Sequence, residues 1–171
     1  MDKLNKLIVS GMGTGYLPIA PGTWGSAAVT ALFLLAAWAS GGRWHCVSGT
    51  MLVIVVSAGV ACVALGKFAE KAYGRKDPSQ CTIDEWAGQA VTYLLMPPFL
   101  CTASFGWAHW LFVAALGFVA FRIADIIKPP PARKLEKLPA GWGVLLDDLA
   151  SGIYANLTCQ VILRLWLLET I

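Results

Sequence analysis

Apolar residues run in long stretches along this chain, at about positions 26–40, 47–66, 86–104, 107–121 and 149–168. Two polar islands divide them: eight of the 23 charged residues fall between Lys67 and Glu85, and nine between Arg122 and Asp148. Runs of this length, rich in Leu and Ala, predict helices rather than strands, because a lone strand cannot satisfy its backbone groups in lipid. Only the second and last runs approach the roughly 20 residues that span a bilayer upright. The 36 uncharged residues from Trp86 to Phe121 are interrupted by Pro97-Pro98 and a TASFG step. They predict a helical hairpin with two arms, each short for a full crossing. The expected fold is all-α: one compact polytopic membrane bundle over residues 1–171, with four to five apolar helices and two cytoplasmic polar segments. Re-entrant arms are an alternative within that class, since short apolar helices also serve as protein core.

Charge sets the orientation. Lys3, Lys6, the four basic residues from Lys67 to Lys76 and the five from Arg122 to Lys137 fall on one side if five helices alternate across the bilayer. The positive-inside rule then puts the N-terminus and both islands in the cytoplasm. Residues 1–13 carry too short an apolar core for a signal peptide, so the start is expected to be retained. The net charge of +3 is spread out, without the dense basic run interleaved with aromatics that a nucleic-acid surface requires. Five cysteines leave one unpaired in any disulfide scheme, no CxxC occurs, and His45 and His109 sit beside tryptophans, so neither a disulfide scaffold nor a Cys/His zinc site is supported. Gly59, Gly66, Gly117 and Gly152 are placed to allow close helix contact.

Three segments carry more than hydropathy. Ser10 to Ser26, SGMGTGYLPIAPGTWGS, is too rich in glycine and proline for a regular helix. It leads into an apolar helix whose N-terminal end favours phosphate, with Thr23 as a phosphate contact or simply as the helix cap. Asp77 to Gln89, DPSQCTIDEWAGQ, sets Asp84 and Glu85 side by side at a helix start. Thr82 and Glu85 also have the spacing of a capping box, which would account for Glu85 but not for Asp84. Phe121 to Asn156 holds Arg122, Asp125 and Lys128 before a triple proline, then Asp147-Asp148 flanked by leucines. Paired aspartates at a membrane boundary are costly unless a cation meets them. Neighbours on a helix point about 100° apart, so one can ligate an ion while the other orients a neighbour. Asn156, two turns beyond Asp148, shares its face. The carboxylates Asp84, Glu85, Asp125, Asp147 and Asp148, with Arg122 and Lys128, are therefore candidates for an oxygen-ligated magnesium site acting on a phosphate monoester; a surface network of salt bridges is the plain alternative.

GTGYLPIAPGTWGS, DPSQCTIDEWAGQ and FRIADIIKPPPARKLEKLPAGWGVLLDDLASG, in this order, resemble the three motif blocks of bacterial phosphatidylglycerophosphatase A. Ala140 departs mildly, standing where a second glycine often precedes Gly-Trp-Gly. The resemblance implies a magnesium-dependent lipid phosphatase of the bacterial inner membrane, multi-pass with its site facing the cytoplasm, converting phosphatidylglycerophosphate to phosphatidylglycerol. The DE pair falls on Asp84 and Glu85, the FRxxDxxKPxP element on Arg122, Asp125 and Lys128, and the DD pair on Asp147 and Asp148. Metal binding is expected of Asp84, Glu85, Asp147 and Asp148, with Asp125 as a further ligand or base. The substrate and membrane lipid are the expected partners, with no nucleic acid; the sequence names no protein partner.

Other phosphatase chemistries lack their residues. No cysteine precedes an arginine by six positions, no DxD pair offers an aspartyl nucleophile, and no histidine lies in a polar segment. A transferase acting on a CDP-activated lipid would need a DGxxAR run, which is missing. A small transport or assembly subunit with a carboxylate ion site is the alternative from another class, and it predicts acids nearer mid-membrane. Metal-activated water predicts phosphate release that survives thiol alkylation; inactivation traced to modified Cys81 would refute this.

Overall fold

The computed structural model describes residues 2–97, 106–139 and 141–170, with side chains through Leu165. Cys101, Pro98, Ala140 and all of the TASFG step but its glycine lie outside the described residues. Every regular element described is helical: α1 (Asp2–Val9), a 3-10 turn (Thr14–Tyr16), α2 (Pro21–Ala39), α3 (Trp44–Tyr73), α4 (Ile83–Thr92), α5 (Trp107–Ile127), the single turn α6 (Ala132–Leu135) and α7 (Gly141–Thr170). Helices α2, α3 and α5 are each long and apolar enough to cross a membrane. Their outward faces carry Leu35, Trp38, Val53, Val56, Val60, Leu111 and Val119, all exposed. Such a surface suits lipid and not water.

The helix ends follow local chemistry. Pro21 opens α2, where its missing N–H costs nothing and its fixed φ is already helical. Gly74, in the left-handed region at φ 70°, closes α3 by donating to the Glu70 carbonyl. Helix α5 runs six residues beyond the apolar stretch read from sequence, carrying Arg122 and Asp125 as a paired turn, and stops at Lys128 before three prolines. The second arm of the hairpin is therefore 21 residues and not a short one. Helix α7 begins at Gly141, so Asp147 and Asp148 lie in its second turn and not at its start. Thr23 lies inside the first turn of α2, whose cap position is Ala20.

A short helix is the centre of the bundle. Helix α4 has only 10 residues, yet it packs against α2, α3, α5 and α7, and Asp84, Ala87, Gly88, Gln89, Ala90 and Thr92 are all buried. Glycines make this approach close. A Cβ on Gly152 would run into the Gly88 carbonyl oxygen, one on Gly88 would lie 2.6 Å from the Asp148 carbonyl oxygen, and one on Gly117 would strike the Tyr93 ring. Of the glycines read as contact points, Gly117 and Gly152 serve so directly, while Gly59 meets only Leu145 at ordinary distance. Asn156 spans the last turn of α4, its Nδ2 donating to the carbonyls of Thr92 at 2.9 Å and Leu94 at 2.7 Å. Beyond that end the core is aromatic: Phe33 stacks on Tyr93 with centroids 4.2 Å apart and leans on Trp110 at 5.7 Å.

Crowding at the α4–α7 crossing sets a stability test. Gly152→Val is expected to lower stability by about 1–3 kcal/mol through overpacking. Gly49→Ala, with nothing within 4 Å of its new Cβ, is expected to leave the thermal midpoint in detergent unchanged or slightly raised.

Candidate active site

At the first turn of α4 the chain places Asp84 and Glu85 where the helix dipole favours negative charge. Thr82 is the cap residue but makes no side-chain cap bond; its hydroxyl meets that of Thr14 at 2.9 Å, so the capping box does not form. Glu85 is thereby left without that structural employment. The glycine-rich segment divides into two parts. Its first half folds over the start of α4: Thr82 N–H donates to the Val9 carbonyl at 3.0 Å, and Gly11, at φ 54°, leaves room for the Trp86 indole. Its second half starts α2 beside the acids. A Cβ on Gly22 would collide with the Glu85 carboxylate and sit 3.4 Å from Arg122 Nη1, so only glycine lets that helix end meet both.

Helix α7 delivers the third carboxylate. One oxygen from each of Asp84, Glu85 and Asp148 lies within 4.8 Å of the others. Asp84 and Asp148 are buried and Glu85 nearly so, and Asp84 Oδ1 and Glu85 Oε2 have no hydrogen-bond partner. Burial is the main reason all three carboxyls are raised above the ordinary range, and the charge of Asp84 adds to the rise at Glu85 and Asp148. Three such carboxylates, two of them carrying an orphaned oxygen, form a donor set that a hard divalent cation fits.

The other two acids are placed differently. Asp125 pairs with Arg122 at 2.9 Å, and Arg122 also donates to Ser26 Oγ at 3.4 Å. Asp147 is held by Lys128 at 2.5 Å, and Lys128 also lies 3.4 Å from Glu136. Burial raises the Asp147 carboxyl to about 6 against the opposing pull of Lys128. Burial pulls the other way on Lys128, yet the hydrogen bond and charge of Asp147 outweigh it and raise the ammonium. Five carboxylates thus resolve into a cluster of three and two ion pairs. Thr23, in the turn that holds Gly22, has its N–H on the Ala20 carbonyl.

Some participants escape the sequence reading. Ser26, fully buried, and Gly22 belong to a quoted motif, but nothing in its spacing shows that they face Arg122 and Glu85. Asn156 shares a face with Asp148, as expected, but serves to cap α4. Cys62, Cys81 and Cys159 are buried, and burial pushes the Cys81 thiol well up, in keeping with chemistry that does not use it.

Comparison with known proteins decides the kinship. The family profile of phosphatidylglycerophosphatase A matches residues 7–163. The chain belongs to this family. A phosphatidylglycerophosphatase A of Haemophilus influenzae is 31% identical over 167 residues, covering 95% of this chain and 90% of that one. The Escherichia coli phosphatidylglycerophosphatase A is 32% identical over 149 residues, 86% of this chain and 76% of its own. A Bacteroides thetaiotaomicron protein provisionally named a phosphatidylinositol-3-phosphatase is 33% identical over 159 residues, 91% of each. No solved structure matches the chain.

The ion pair invites a double-mutant cycle. Lys128→Met leaves Asp147 buried without its partner and is expected to cost about 1–3 kcal/mol in a thermal or denaturant melt. Adding Asp147→Asn should recover most of that loss; a double variant as unstable as the sum of its parts would show that the two groups are not coupled.

Proposed function

We propose that this protein is a magnesium-dependent lipid phosphatase of the bacterial inner membrane, acting on the cytoplasmic side and hydrolysing the phosphate monoester of phosphatidylglycerophosphate. The observation that carries the reading is the buried group Asp84, Glu85 and Asp148, with two orphaned oxygens, inside a chain of this family. The all-oxygen donor set suits magnesium. Bound there, magnesium supplies Lewis-acid polarisation of the phosphoryl group and activation of water.

The protein's own groups do the rest. The first turn of α2 lies beside Glu85, with Gly22 against that carboxylate, and a helix N-terminus favours a phosphate oxygen. Arg122, fixed by Asp125 and Ser26, stands within reach of the same space and offsets charge as the ester bond breaks. Lys128, anchored on Asp147, adds a second positive charge on the α5–α7 side. In this reading Asp84, Glu85 and Asp148 hold the ion, while Asp125 and Asp147 hold the cations that meet the substrate. Asp147, expected from sequence to ligate the metal, then acts through Lys128. Thr23 contributes through the helix turn it belongs to. Basic residues along the same islands favour a cytoplasmic orientation.

The test is phosphate release by purified protein from detergent-solubilised phosphatidylglycerophosphate, beside a phosphatidylinositol 3-phosphate, phosphatidic acid and a soluble phosphomonoester. Magnesium-dependent release favouring the glycerophosphate lipid, abolished by excess chelator, is the expected result. Asp84→Asn, Glu85→Gln and Asp148→Asn should each lower kcat/KM by at least about 100-fold. Preference for the inositol lipid would reassign the substrate; release unaffected by chelator would remove the metal from the mechanism.

A further inference from the structure

Along α4 and its two flanking cap residues, positions 82, 85, 89 and 93 fall on one side of the helix. Three of the four are fixed against α2. A Cβ on Gly25 would lie 3.1 Å from the Thr82 Cβ, one on Gly22 would meet the Glu85 carboxylate, and the Tyr93 hydroxyl lies 3.0 Å from that of Thr30. Gln89 therefore faces the part of α2 between Gly22 and Thr30, where fully buried Ser26 accepts its hydrogen bond from Arg122. It lies one helical turn further along α4 than Glu85, towards Tyr93 and the ring-packed end of the helix.

Gln89 is 0% exposed, and neither its Oε1 nor its Nε2 has a hydrogen-bond partner. An amide brings two donor hydrogens and an acceptor oxygen, and leaving them unmade in the interior costs free energy that leucine or methionine would not incur. Polar side chains buried in a membrane bundle line substrate or ion paths. The charges around Gln89 narrow what it meets: Arg122 and the α2 N-terminus are positive, the carboxylates negative, and the amide itself neutral. A donor in that position suits an anionic oxygen that has already been drawn in by the cations.

We propose that Gln89 is a phosphate-binding residue, its Nε2 donating to a phosphoryl oxygen one turn along α4 from Glu85. The inference rests on the phosphatase reading. It adds a contact that contributes no charge, so it discriminates a phosphate monoester by shape without tightening the hold on released phosphate as another cation would.

Gln89→Met keeps the volume and removes the donor. With inorganic phosphate as the probe, the thermal midpoint of the purified wild type in detergent and magnesium is expected to rise with phosphate concentration. Gln89→Met should need about 10- to 100-fold more phosphate for the same rise, and its phosphate inhibition constant and kcat/KM should shift to match, the loss expected for one hydrogen bond to a charged group. Gln89→Asn, which retains the amide but withdraws it by one methylene, provides the same comparison if the methionine variant does not fold. A variant that binds phosphate within about twofold of wild type overturns the proposal, and so does a fall in kcat with phosphate binding unchanged, which would make Gln89 a water-positioning residue. Wild type that neither binds phosphate nor releases it from any lipid would instead remove the phosphatase reading itself.

Discussion

Like charges resist being brought together in a poorly solvated interior, and the bundle forces three carboxylates within 4.8 Å at its polar end. Much of the structure is arranged around that constraint. Helix α4 begins there, so its dipole faces Asp84 and Glu85. Helix α7 approaches until Gly152 meets the Gly88 carbonyl, which brings Asp148 to the other two. Among the described residues, Arg122 and Lys128 are each engaged by another acid, Asp125 and Asp147, so the neighbouring ion pairs do not neutralise the cluster. A group so placed calls for either protons or an outside cation, and the raised carboxyls of all three express that demand.

Much of the site was legible in the sequence, because charge is scarce in this chain and each acid in an apolar background stands out. Of the residues so marked, Asp84, Glu85 and Asp148 lie together, while Arg122 pairs with Asp125 and Lys128 with Asp147. What spacing does not reveal is direction. Asp147 and Asp148 have leucines on both sides, and which of the two meets α4 depends on where α7 starts and on the crossing at Gly88, neither of which hydropathy encodes. The capping-box pattern at Thr82 and Glu85 misleads for a related reason: the Thr82 hydroxyl is taken by Thr14, 68 positions earlier.

The fold was legible at the level of class. Hydropathy marks the long helices, because a lipid-facing surface has to be apolar along its whole length. It underestimates α5, which continues through Arg122 and Asp125 because those two neutralise each other one turn apart. It also leaves α4 looking like half of an ordinary hairpin, since a run of buried small residues and a run of lipid-facing ones have the same hydropathy. Only the packing of α4 against four other helices reveals it as the axis of the molecule.

The stack of Phe33, Tyr93 and Trp110 gives the molecule a sidedness. Among the described residues, one end of the central helix is surrounded by acids and the other by packed rings. In the proposed reading a lipid headgroup meets the carboxylates from the acid-lined end only. On that reading, insertion of the chain into the bilayer is also a choice of which half of the membrane it serves, and a molecule inserted upside down is idle however well it is folded.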